Sequence, residues 1–329
     1  MARPRFLPDN FTLALVTTVA LASFFPCQGQ TAEVFDVVTN IAIGLLFFFH
    51  GAKLSREAVV AGATHWRLHL VVLASTFVLF PLLGVLLKPL MTLVITPQMY
   101  LGVLFLCTLP STVQSSIAFT SMAEGNVPAA ICSASASNLI GIFLTPVLVG
   151  ALMASSGAGA VSLDSIWNIV LQLLLPFVAG QIARRWIGSW VDRHKGMIKY
   201  TDQTSILLVV YTAFSEAVVQ GLWQQTPLPA LGGLVVVNIV LLALVLTIMT
   251  LGARKLGFNR EDEITIVFCG SKKSLASGVP IAKVLFASHL VGSMVLPIML
   301  FHQIQLMTCA VLAQRYYARK QAALRAAAV

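Results

Sequence analysis

The chain has 329 residues, 58% of them apolar and only 10% charged, with 21 Lys and Arg against 12 Asp and Glu. Soluble proteins carry roughly 25% charged residues, so a water-soluble enzyme, a disordered chain, a coiled coil and a collagenous rod are all excluded by the lack of side chains to wet the surface. The net charge of +9 therefore reflects which side of a membrane the basic residues occupy, and no nucleic-acid partner is expected.

A helix needs about 20 mostly apolar residues to cross a bilayer. Ten such runs follow one another: 11–27, 34–52, 67–88, 98–123, 127–153, 165–187, 201–222, 229–253, 261–287 and 290–317. None alternates in polarity as barrel strands do, so the fold class is an all-α membrane protein with ten transmembrane helices. Arg3 and Arg5 precede the first run as they would in a signal peptide, yet Phe24-Phe25-Pro26-Cys27 lacks the small residues of a cleavage site. The run is read as a retained span.

The second run reaches His50, read as a satisfied polar group, and is followed by Lys53, Arg56 and Arg67. His65 and His69 lie four apart on one helix face. With no third ligand nearby they read as an interfacial pair, and no metal site is expected. The fourth run is interrupted by Leu109-Pro110-Ser111-Thr112-Val113-Gln114-Ser115-Ser116. Glu124 follows in a short, wetted loop. The fifth run carries Ala129 to Asn138, nearly all small residues that let helices approach closely. Asn138 is read either as glue between helices or as lining of a site, together with Ser133 and Ser137.

The small, flexible segment Ala154-Ser155-Ser156-Gly157-Ala158-Gly159-Ala160 divides the runs five and five. The domains are accordingly a first five-helix repeat (1–153), a linker (154–164), a second repeat (165–317) and a cytoplasmic tail (318–329). Five crossings per half invert the second repeat relative to the first, an architecture of secondary transporters. In the second half, Glu216 of the seventh run sits either near the outer interface or as a partner for a lysine. The ninth run is broken at Gly270-Ser271-Lys272-Lys273-Ser274-Leu275-Ala276-Ser277-Gly278, the same position in its half as the break in the fourth run. Matched interruptions at membrane depth point to a binding site. Its expected residues are Gln114, Ser115, Ser116, Ser271, Lys272, Lys273 and Ser274, with coupling or charge pairing through Lys272, Lys273 and Glu216. His302, Gln303 and Gln305 of the tenth run read as satisfied polar groups.

Seventeen Lys and Arg fall in loops on one side of these ten runs and only Lys88 on the other, which places both termini in the cytoplasm of a cell (inner) membrane. The five cysteines show no CxxC spacing and read as packing residues.

Two passages, Ala123-Glu124-Gly125-Asn126 to Leu144-Thr145-Pro146 and the segment from Glu263-Ile264-Thr265-Ile266, resemble the bile acid:sodium symporter superfamily. Phe268 to Leu275 is similar to the branch holding the seventh mammalian member and its bacterial counterparts. The resemblance covers essentially the whole chain. It implies a panel (first, second, sixth and seventh helices), a core holding the crossed, broken fourth and ninth helices, and a substrate between them that moves by alternating access. Sodium-coupled members carry Glu, then Gln-Asn, near the ninth-helix crossing; aligned on Gly270, those positions here are Phe268, Lys272 and Lys273.

An ammonium offers only donors, whereas sodium needs oxygen ligands. Two like charges 4 Å apart repel by roughly 4 kcal/mol at an effective dielectric near 20. The lysines are thus expected to stand in for the family's sodium, leaving sodium coupling doubtful and proton coupling through a lysine as an alternative. Both lysines could also hold an anionic solute such as a carboxylate, sulfate or phosphate ester. No cofactor and no protein partner is inferred, only the solute and the bilayer. The reading is a secondary transporter of a small organic anion. The alternative is a non-transporting membrane regulator or scaffold on the same fold; an embedded enzyme would need a nucleophile–base pair or a metal-ligand cluster, the spans carry neither motif, and no enzyme is expected.

Overall fold

Every apolar run read from the sequence is helical over most of its described length, because a backbone without water must bond to itself. A computed structural model describes residues 10–53, 65–155, 163–221, 224 and 227–327, and among these no strand occurs. The helices are α1 (Asn10–Phe24), α2 (Gln30–Lys53), α3 (Trp66–Ala74), α4 (Phe80–Leu86), α5 (Lys88–Met91), α6 (Pro97–Thr108), α7 (Gln114–Met122), α8 (Val127–Ser155), α9 (Leu163–Arg193), α10 (Lys195–Val219), α11 (Leu228–Lys255), α12 (Arg260–Gly270), α13 (Leu275–Leu285) and α14 (Ser288–Ala327). A five-residue π-turn, Ser75–Leu79, joins α3 to α4. Among the described residues five helical stretches, Gln30–Lys53, Trp66–Leu86, Val127–Met153, Leu228–Lys255 and His289–Ala322, are long and apolar enough to cross a membrane. The chain is an all-α membrane protein. Most of the linker expected at 154–164, like Arg3, Arg5 and Arg56, lies outside the described residues.

Two groups of helices emerge from the packing. α1, α2, α9 and α10 pack on one another, α2 against α9 most extensively, and the remaining helices form a second group around α6, α12 and α14. The groups meet where α10 touches α13 and α14, and where α9 touches α8. Small residues set the α2–α9 distance: a Cβ added at Gly51 would run into the Phe177 carbonyl, and one at Gly180 into the Phe48 carbonyl. Overpacking such a contact costs about 1–3 kcal/mol. Gly180→Ala should therefore lower the heat-unfolding midpoint in detergent clearly, whereas Gly232→Ala, whose Cβ would meet nothing within 4 Å, should not. Equal midpoints for the two variants would overturn this account of the contact.

Ion pairs gather near the basic helix ends. Lys53 pairs with Asp202, Arg254 with Glu263 at 2.9 Å, and Lys320 with Glu124 at 2.9 Å. Glu124 was expected simply to be wetted; it also closes an ion pair, at the one non-glycine position among the described residues with positive φ (55°).

Candidate functional site

The two expected breaks are present and touch. Pro110 pushes Leu109 out of the helical region, so α6 ends at Thr108 and Leu109 is extended (ψ 152°). In the other half α12 ends at Gly270, and Ser274 caps α13, its Oγ accepting the Ser277 N–H. The Ser274 N–H donates to the Pro110 carbonyl at 2.8 Å, linking one break to the other. Ser111 Oγ donates to the Cys269 carbonyl at 2.6 Å and Ser116 Oγ to the Phe268 carbonyl at 3.1 Å. Hydroxyls thus satisfy the carbonyls exposed at the end of α12, which have no helical donor of their own.

The small-residue helix α8 supplies the third side. Gly141 lies against the Pro110 ring, where a Cβ would come within 2.8 Å. Ser137 Oγ accepts the Ser111 N–H at 3.0 Å. Asn138 Nδ2 donates to the Ser111 carbonyl at 2.7 Å, and its Oδ1 accepts from Ser277 Oγ at 2.7 Å. Of its two readings, then, Asn138 makes the glue contacts, while remaining half-buried. Ser133 instead bonds His69 Nδ1 at 2.6 Å. Ser271 Oγ turns back to the Val267 carbonyl at 2.6 Å. Gln114 is exposed and Ser115 half-buried, and Ser115 bonds Thr112 at 2.9 Å.

The two lysines leave the break in different directions, Lys272 toward the Phe119 and Phe268 rings and Lys273 toward Phe80. Both are fully buried. Lys273 Nζ donates to three carbonyls, those of Thr76 (2.7 Å), Cys107 (2.8 Å) and Leu109 (2.7 Å), and stands 4.2 Å from the centre of the Phe80 ring. All three donors of the ammonium are used. The acceptors follow from local structure. Cys107 and Leu109 lie at the C-terminus of α6, the negative end of its dipole. At the π-turn, the Phe80 N–H reaches back five residues to the Ser75 carbonyl. The next donor in that register would come from residue 81, a proline without N–H, and the Thr76 carbonyl is left for the lysine. The main chain of Lys273 is held by Gln305, whose Oε1 accepts its N–H at 2.9 Å while Nε2 donates to its carbonyl at 3.0 Å. Gln305 is satisfied, as expected, but its role as the clamp on Lys273 could not be read from sequence.

Lys272 has a different environment. Its Nζ makes no hydrogen bond and lies 4.0 Å from the centre of the Phe119 ring and 5.6 Å from that of Phe268. Cation–π contacts give an ammonium some stabilisation but accept no N–H directionally. No carboxylate lies within 4 Å of either lysine among the described residues. This corrects one alternative for Glu216: it is half-buried on α10 and forms no ion pair with Lys272 or Lys273.

The sequence profile of the SBF-like CPA transporter family matches residues 9–318. A Pseudomonas aeruginosa protein named "Uncharacterized protein PA2026" is 67% identical over 328 residues, spanning 100% of this chain and 98% of its own length. The Escherichia coli (strain K12) protein named "Putative symporter YfeH" is 62% identical over 308 residues, spanning 94% of this chain and 92% of its own. Sodium/bile acid cotransporter 7 of Rattus norvegicus is 28% identical over 315 residues, with 94% and 92% covered.

Proposed function

Taking as premise that the chain belongs to the SBF-like CPA transporter family, we propose that it is a secondary transporter that carries a small organic anion by alternating access without binding sodium. Membership in a transporter family sets the embedded-enzyme reading aside. One observation carries the rest of the proposal: the ammonium of Lys273 seated among three carbonyl oxygens where α6 and α12–α13 break. Carbonyl oxygens are the ligands a hard monovalent cation seeks, and here a tethered cation already uses them. The rat relative is named for sodium and bile acid; in this chain the ion's part falls to the protein itself.

The anion follows from charge. The break holds two cationic side chains with no carboxylate within 4 Å of them among the described residues, and one of the two, Lys272, has no acceptor. A buried charge is tolerated where it is paired, and a carboxylate, sulfate or phosphate ester arriving between the helix groups would supply that pairing. Gln114 and Ser115, which keep some exposure at the start of α7, offer hydrogen-bonding groups near the break. The four-helix group of α1, α2, α9 and α10 serves as the panel and the other helices as the core, in ten crossings arranged as two inverted repeats with both termini cytoplasmic. The matched breaks and the one-sided Lys and Arg support that arrangement.

Protein reconstituted in liposomes and offered radiolabelled carboxylates, sulfates and phosphate esters tests the proposal. Saturable uptake of one anion, equal in sodium and in choline buffers, is the expected result. Uptake that follows a sodium gradient and vanishes without sodium overturns the ion assignment; no saturable uptake of any anion supports the regulator or scaffold instead.

A further inference from the structure

At the end of the helices away from the basic loops, one ion pair among the described residues joins the two helix groups. Lys283 Nζ on α13 lies 2.8 Å from Asp36 Oδ1 on α2. The lysine side chain is 6% exposed and the aspartate 46%, so the pair sits at the rim of the seam with its cation pointing inward. Every other ion pair among the described residues stays inside one group. Lys53–Asp202 and the Arg184–Asp192–Lys195 set belong to α2, α9 and α10, while Arg254–Glu263 and Lys320 with Glu124 and Glu261 belong to the other helices. The groups are also in close contact at this end: a Cβ at Gly292 on α14 would come within 2.6 Å of the Ala217 Cβ on α10. At the basic end, by contrast, the apolar cluster of Ala52, Val191 and Ile198 lies within the four-helix group alone.

We propose that Asp36 and Lys283 form a gate on the outer side, an ionic latch between panel and core that shuts the crossing off from the exterior. This rests on the transporter reading above and names two residues that control access to its site. The latch is mechanically tied to the crossing. α13 is capped by Ser274, whose N–H is bound to the Pro110 carbonyl, and Lys283 stands nine residues beyond that cap, roughly 13 Å along the helix at 1.5 Å per residue. Opening the seam at Asp36 therefore frees the same rigid element that carries the second break. A charge pair at a rim is suited to this work, because water and ions compete for it and it breaks at small cost.

The experiment measures access directly and needs neither substrate nor flux. Ala276, half-buried and seven residues before Lys283 on the same face of α13, is replaced by Cys in a Cys27→Ser background, and a membrane-impermeant thiol reagent is applied from outside. With the latch intact, labelling is slow. Asp36→Asn and, separately, Lys283→Met should speed it roughly fivefold, the upper range for one solvent-touched ion pair. The exchange Asp36→Lys with Lys283→Asp should return it to the slow rate. Asp36→Asn removes a half-exposed charge and keeps the fold, so the result remains readable if Lys283→Met proves unstable. Unchanged labelling in Asp36→Asn, or an exchange variant as open as the single ones, overturns the gate. Normal latch behaviour in a protein that takes up no anion would instead refute the transporter reading and leave the seam as described.

Discussion

Lys273→Met should destabilise the protein by about 2–4 kcal/mol, whereas Lys272→Met should leave its stability unchanged or raise it. The two residues are adjacent, equally buried and chemically identical, so the contrast isolates what their ammonium groups touch. Methionine at 273 removes the desolvation cost of a buried ammonium, which is several kcal/mol. It also strands the carbonyls of Thr76, Cys107 and Leu109, each at about 1–3 kcal/mol when buried and unpaired. Three such losses outweigh the relief. At 272 no hydrogen bond is lost, the same relief applies, and a thioether between Phe119 and Phe268 gains sulfur–aromatic contact of about 0.3–1.5 kcal/mol. Heat-unfolding midpoints in detergent decide the matter. Two variants that lose stability equally would show that the carbonyl cage does not hold Lys273.

Much of this architecture could be read from residue order. Apolar length locates the helical runs, Pro110 and the Gly270–Gly278 segment locate both breaks, and two lysines at membrane depth are conspicuous in any sequence. Which lysine plays which part was hidden, because adjacency in sequence does not say toward which helices either side chain leaves the break. The partners come from far along the chain. Thr76 becomes an acceptor only because the π-turn uses the Phe80 N–H and Pro81 has none to give. That spacing of a proline five residues after the freed carbonyl could be recognised in sequence only by assuming a π-turn in advance. Gln305 lies 32 residues from Lys273 and Asp36 247 residues from Lys283. Such pairings depend on how whole helices pack, and hydrophobic periodicity carries no register between helices. The charge-pairing alternative for Glu216 failed for the same reason: its depth along α10 was readable, but its azimuth was not.

If Lys272 is the group that couples transport to protons, Lys272→Met should abolish uphill accumulation while exchange continues at a higher half-saturating anion concentration, the anion having lost its ammonium partner. The three carbonyls around Lys273 match an ammonium with three N–H donors, and a neutral amine there would leave an acceptor bare. Lys272 has no acceptor to lose. Facing outward it would take up a proton and pair with the arriving anion. Facing inward it would release the anion and pass the proton to cytoplasmic water, so that each cycle moves one proton with one anion. For such a symporter one pH unit is 1.36 kcal/mol and drives about tenfold accumulation of solute. Liposomes with an acidic exterior should therefore concentrate the anion through the wild type but only equilibrate it through Lys272→Met, while labelled-for-unlabelled exchange continues in both. Full accumulation by Lys272→Met would remove Lys272 from the coupling step. Loss of exchange together with accumulation would assign it to anion binding alone, since a residue that merely carries the proton is dispensable when no net proton moves.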